Sequence, residues 1–243
     1  MDTNNKDNGI SLPVSVVLAG ALIAGAVLWN GSHPTSAPAG TGGSPQAAPS
    51  VNIKNVKTAG DPYIGQQNAP VTVAFWSDFQ CPYCKAFEIG HPQIPTPAAL
   101  PDIIKNYVDT GKVKIVFMDF TFLGNDSVTA ALYNRSIWKL YPDKYFAWRT
   151  AMYTAQDEEG DKGFGNAASI DKLNATIAGI DAAKVAADVK ANTSTYQAMV
   201  DADKAEAGKA GVNATPSFVI GTKMIPGAVS YATFQAAIDA VLK

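Results

Sequence analysis

The 243-residue sequence predicts an α/β domain: a mixed central sheet flanked by helices, with an inserted helical domain and one transmembrane helix ahead of it. Three observations carry this reading. Two β-branched and aromatic runs, 71–76 and 112–120, enclose a helix-compatible stretch, which makes a βαβ start. Residues 125–210 are Ala-rich and helical in pattern, and a short apolar run at 217–220 then returns as a hairpin before a final amphipathic helix.

The front of the chain is distinct. From Asn8 through Ile53 there is no Asp, Glu, Lys or Arg, although the whole chain carries 19 basic and 21 acidic side chains. Ile10 to Trp29 is almost wholly apolar or small, and as a helix it would be about 30 Å long, enough to span a bilayer. Residues 31–50 draw sixteen of twenty positions from Gly, Pro, Ser and Ala and have no large apolar side chain, so they form a tether. The expected organisation is a cytoplasmic tail at 1–9, a signal-anchor at 10–29, a flexible linker at 30–60 and a domain at 61–243, with its helical insertion at about 121–210. A cleaved signal peptide is the rival reading, since Ala37-Pro38-Ala39 resembles a cleavage site. The apolar run is longer than the usual 7–15-residue core of such peptides, however, and the site lies well beyond it. Lys6 precedes the span and nothing basic follows until Lys54, so the domain is expected outside the cytoplasm.

Within the domain, Val71 to Trp76 follows Asn68-Ala69-Pro70 and reads as a buried strand. Pro101 to Asp109 is helix-like, Thr110-Gly111 breaks it, and Lys112 to Phe120 is the second strand. Candidate helix caps in the insertion are Asp126 or Ser127, Asp143, Ser169 and Asp181. Ser217 to Ile220 and Thr222 to Pro226 form the hairpin through Gly221-Thr222. Ser230 then caps a helix with Tyr231, Phe234, Ile238 and Val241 on one face.

A net charge of −2 offers no basic field for a phosphate backbone, so nucleic acid is not an expected partner. Both cysteines fall in Cys81-Pro82-Tyr83-Cys84, directly after the first strand and at the start of a helix. This spacing brings two sulfurs together on one turn, where they can cycle between dithiol and disulfide. The free backbone N–H groups of the turn favour an anion on the upstream sulfur. Cys81 is therefore the expected exposed nucleophile of lowered pKa, and Cys84 the resolving thiol. Zinc would need further ligands, and only His33 and His91 are available beside carboxylates, so no metal is expected. A purely structural bridge across so small a loop would add little stability.

The CPYC motif between strand and helix, with Thr215-Pro216 far downstream ahead of Ser217-Phe-Val-Ile220, resembles the thioredoxin-like superfamily and, within it, the DsbA-like thiol–disulfide oxidoreductases. Asp61 to Gly65, Asn68 to Pro70 and Asp143 to Trp148 extend the resemblance to most of the domain. Pro82-Tyr83 also matches glutaredoxins, but the interval from Cys84 to Pro216 is too long for so small a fold. The resemblance implies that Pro216 is a cis-proline packed beside the sulfurs and that the Thr215 backbone binds an extended substrate, with Pro82 and Tyr83 tuning the pair. It further implies an oxidase for exported thiol proteins, a quinone-linked membrane reoxidant, no bound cofactor and a monomer. A reductase or isomerase, or a redox-inert chaperone on the same fold, are the alternatives. The sequence departs from the family's pattern at Phe75, where a buried acid usually stands. Asp78 is a possible substitute or a solvated loop acid, and Lys85 and Glu88 read as helix-surface charges.

Overall fold

The computed structural model describes residues 51–157 and 159–243. The expected span at 10–29 and tether at 31–50 lie outside the described residues. Among the described residues, no helix is long and apolar enough to cross a membrane.

The sheet has five strands: β1 (Tyr63–Ile64), β2 (Val71–Ser77), β3 (Val113–Asp119), β4 (Ser217–Ile220) and β5 (Lys223–Pro226), in the order β1-β3-β2-β4-β5. Strands β2 and β3 are parallel, in the register Phe75↔Phe117, whereas β1 on β3, β4 on β2 and β5 on β4 are antiparallel. The mixed sheet expected from the βαβ start and hairpin finish is therefore present. The two-residue strand β1 is too short to give a periodic signal of its own.

Alternation along β2 divides two cores, because successive side chains point to opposite faces. Val73 and Phe75 enter the larger core with Phe87, Phe117, Phe218 and Phe234, whereas Ala74 and Trp76 enter a smaller one with Met118, Ala207 and Val219. Four of those rings crowd around one point: Phe75 lies 4.5 Å from Phe218, and Phe87 lies 4.5 Å from Phe218 and 5.3 Å from Phe234.

Residues 51–60, expected as the end of the linker, belong to the folded unit instead. The Ile53 N–H donates to the Gly221 carbonyl at 2.8 Å, and Val51, Ile53 and Val56 pack on the smaller core. Their apolar side chains set them apart from the Gly/Pro/Ser/Ala tract before them, and burial of those side chains favours docking over solvation.

The helices are α1 (Pro82–Ile89), α2 (Leu100–Ile103), α3 (Asn125–Leu140), α4 (Tyr145–Ala155), α5 (Ala167–Asn174), α6 (Ala182–Ala210) and α7 (Tyr231–Leu242). The helix expected at 101–109 is α2 continued by a π-helical turn, Ile104–Val108. Asp181 and Ser230 cap α6 and α7 as expected, each accepting from the N–H three residues on. The other caps are corrected. Asn166, not Ser169, caps α5, while α4 follows a 3-10 turn at Pro142–Lys144 without a side-chain cap from Asp143. At α3 the N-cap is Gly124, and the Asp126 N–H is taken by Asp161 at 2.8 Å, a partner 35 residues away that local pattern could not supply.

The chain has two arginines, and both are buried. Arg135 on α3 binds Asp61 at 2.6 Å and Asp119 at 2.8 Å, and pairs also with Asp203 of α6. Three carboxylates thus share one guanidinium. Burial pushes Asp203 up to about 8 against the attraction of Arg135, with Asp119 and Asp61 adding repulsion. The native state therefore holds a proton that the unfolded chain releases near about pH 4. Stability from this group is full below that pH and is lost as pH rises toward about 8, by at most about 1.4 kcal/mol per pH unit. In a Cys81→Ser, Cys84→Ser background, where no thiol titrates, the melting temperature should fall over that interval. Asp203→Asn should flatten the slope, and an equal slope in both proteins would refute the assignment.

Candidate active site

The two cysteines sit where β2 gives way to α1. Cys81 is the N-cap of α1, Pro82 occupies the first helical position, where a missing N–H costs nothing, and Cys84 lies one turn in. Both are free thiols, and both are buried: Cys81 is 4% exposed and Cys84 0%. The expectation that Cys81 stands open is corrected. Tyr83, two residues on, is 55% exposed.

Folding brings Thr215-Pro216 onto the motif. That peptide bond is cis, and the Cys81 thiol donates to the Thr215 carbonyl at 3.4 Å. Thr215 is itself buried, and its hydroxyl oxygen has no hydrogen-bond partner among the described residues. Thr215 and Pro216 are thus adjacent to the sulfurs although more than 130 residues separate them from Cys81.

The two thiols are electrostatically unlike. A hydrogen bond from the Cys84 side chain is the largest influence on Cys81. It outweighs burial and, with the Thr215 side chain and the backbone N–H groups of Cys84 and Tyr83, brings Cys81 down to about 7. Cys84 is pushed well up, first by burial and then by its neighbour's sulfur. An anion on this pair resides on Cys81.

Asp78 is buried rather than solvated. Its carboxylate accepts from the Gln80 N–H at 2.9 Å, the Ser127 hydroxyl at 2.8 Å and the Phe122 N–H at 3.1 Å, while burial raises its pKa. These bonds tie the loop before Cys81 to the start of the insertion. Phe75 fills the position of the usual acid with core aromatic surface, its ring 5.3 Å from Phe87.

Glu88 is also corrected from surface to core. It is 4% exposed and receives the Arg149 guanidinium at 2.5–3.1 Å, while Arg149 reaches the Ser77 hydroxyl at 2.7 Å. Burial raises the Glu88 pKa, and Arg149 opposes that shift. The guanidinium lies 4.2 Å from the Phe117 ring centroid and 5.0 Å from that of Phe79, a flat cation between aromatic faces. Lys85 is half-buried, its ammonium 3.0 Å from the Gln156 carbonyl. Sequence reasoning missed Arg149, Tyr153 and Gln156. Arg149 had a signal, being one of two arginines in the chain and set among aromatics on a helix, where a planar, always-charged group suits a buried pair. Gln156 had none. Among the described residues, no three His, Cys, Asp or Glu side chains stand together as a metal site.

A sheet with this topology and a CxxC pair at the strand-to-helix junction facing a cis-proline defines a thioredoxin-fold thiol–disulfide oxidoreductase. A model of the thioredoxin family matches residues 57–240, and the chain belongs to that family, as a DsbA-like thiol–disulfide oxidoreductase. It is 27% identical over 191 residues to disulfide bond formation protein D of Bacillus subtilis, covering 76% of this chain and 78% of that protein. It is 26% identical to a probable disulfide bond formation protein D of Bacillus anthracis, covering 74% and 77% of the two chains. The crystal structure of oxidised BdbD from Bacillus subtilis superposes with a TM-score of 0.66 at 25% identity, over 79% of this chain and 97% of that one. The thiol-disulfide exchange protein alpha-DsbA2 from Wolbachia pipientis superposes with a TM-score of 0.60 at 26% identity, over 74% and 87%.

Proposed function

We infer that the protein is an extracytoplasmic, membrane-anchored oxidase that passes a Cys81–Cys84 disulfide to exported proteins with free thiols. The observation that carries the exchange chemistry is the asymmetry of the two sulfurs, with Cys81 held at about 7 beside Thr215 and Cys84 pushed well up, and the direction is supported by the names of the Bacillus relatives. A client thiolate attacks Cys81 of the disulfide, the S–S bond breaks, and Cys84 leaves and takes a proton. A second client thiolate then attacks the client sulfur of the mixed disulfide and expels Cys81, whose lowered pKa makes it the better leaving group. The client loses two electrons and two protons, and the enzyme ends as the dithiol. The exposure of Tyr83 and the closeness of the Thr215 carbonyl to Cys81 support a client-binding role for both. Reoxidation falls to a quinone-linked membrane partner. The charge-free front supports the anchor, and the names of the Bacillus relatives support disulfide formation.

One observation favours net reduction instead. A nucleophile near about 7 is that of a thioredoxin, whereas the strong oxidant of this fold holds its thiol near about 3.5. The reduction potential of the Cys81–Cys84 couple separates the two. An oxidase is expected above roughly −200 mV, and a value near about −270 mV would overturn that direction in favour of a reductase.

A further inference from the structure

Three carbonyls of the loop around Cys81 are bound by side chains at the end of α4. The Tyr153 hydroxyl donates to the Asp78 carbonyl at 3.3 Å, and the Gln156 side-chain amide donates to the carbonyls of Phe79 at 2.7 Å and Cys81 at 3.1 Å. Gln156 directly follows α4, is 7% exposed, and has its own carbonyl held by Lys85 at 3.0 Å. Lys85 belongs to the first turn of α1, and its N–H donates to the Cys81 carbonyl at 3.2 Å alongside that of Cys84 at 3.1 Å. One carbonyl thus collects three donors.

This arrangement answers a weakness of α1. Its N-cap is Cys81, whose side chain makes no capping bond, and Pro82 supplies no N–H, so the first turn of an eight-residue helix has no cap of its own. The Cys84 and Tyr83 N–H groups of that turn, and the Cys84 side chain it carries, are nevertheless among the donors to a thiolate at Cys81, so the turn must be held from outside. We propose that Gln156 is the positioning residue of Cys81: by donating to the Phe79 and Cys81 carbonyls it fixes the first turn of α1 and so holds the Cys81 sulfur over its backbone donors and Thr215. Lys85 completes the device by locking the Gln156 main chain to the helix that Gln156 steadies. The inference rests on the oxidoreductase reading. Cys84 and Tyr153 are the other titratable groups facing the Cys81 sulfur, and Asp157 acts on Lys85, and none of these is altered by the variants below.

A purely structural role would lower stability and leave the sulfur's chemistry alone, so the test reads the sulfur. The full chain is compared with Gln156→Glu, Gln156→Ala and Lys85→Met by thiolate ultraviolet absorbance against pH and by equilibration with glutathione. Glutamate is isosteric, but when ionised it cannot donate to two carbonyls. In Gln156→Glu and Gln156→Ala the Cys81 midpoint should rise by about one pH unit. The glutathione equilibrium, read at about pH 9 where Cys81 is a thiolate in every variant, should move about tenfold toward the disulfide, which is about 30 mV. Lys85→Met should shift both in the same direction by less and keep the wild-type circular dichroism, so the test survives if the Gln156 variants fail to fold. A folded Gln156→Glu or Lys85→Met protein with midpoint and equilibrium within twofold of wild type overturns the positioning role. A wild-type protein that exchanges nothing with glutathione overturns the oxidoreductase reading instead, so the two failures are distinct.

Discussion

Cys84→Ser is expected to accumulate a covalent mixed disulfide with a client that carries a disulfide, stable in non-reducing gels and released by dithiothreitol, whereas Cys81→Ser forms no such adduct and shows no turnover above buffer. The asymmetry follows from the site. Cys81 is the sulfur at the helix N-terminus beside Thr215, brought down to about 7, and Cys84 is fully enclosed and pushed well up. A thiolate in the single mutant Cys84→Ser can therefore still engage a client disulfide, but nothing behind it can resolve the adduct. A serine at 81 removes the sulfur of lowered pKa and leaves only Cys84, which is fully buried. The reverse pattern, trapping in Cys81→Ser and silence in Cys84→Ser, would reverse the roles assigned to the two cysteines.

Arg149→Met should be the most destabilising single change outside the cysteines. It leaves the Glu88 carboxylate buried without its partner and removes the donor to Ser77, and breaking a buried ion pair from one side costs about 3–5 kcal/mol. The orphaned Glu88 can only escape by taking up a proton, and burial already raises its pKa. A raised carboxylate pKa means stability that is present at low pH and lost as pH rises, so the mutant's deficit in urea should be larger at pH 8 than at pH 5. Adding Glu88→Gln should restore part of it, because the charge that needed Arg149 is gone. A loss below about 1 kcal/mol at pH 8, or no recovery in the double variant, would show that the pair holds little of the core together.

The stacking of Arg149 against Phe79 and Phe117 explains how a cation is tolerated there. It also ties α4, which belongs to the insertion, to the strand that leads into the CxxC. With Tyr153 and Gln156 on the same side, the insertion serves as the outer wall of the active-site loop.

What the sequence determined by itself was periodic or local. The strands at 71–77 and 113–119 were legible as β-branched runs, the hairpin as two short runs about Gly221-Thr222, and α6 and α7 by the caps Asp181 and Ser230, because each signal lies within one element. The cysteine pair was legible because its spacing is a helical turn. The tertiary structure alone decided the state of the charges. Glu88 looks like any helix-surface acid until Arg149 arrives from α4, and Asp78 like any loop acid until Ser127 and the Phe122 N–H enclose it. Arg135 becomes a hub only when residues 61, 119 and 203 meet around it. Burial and pairing of an ion depend on neighbours distant in the chain, and no window of sequence contains both partners. The same holds for Gln156, whose two carbonyl acceptors lie more than 70 residues before it and become its partners only once the insertion has packed against α1.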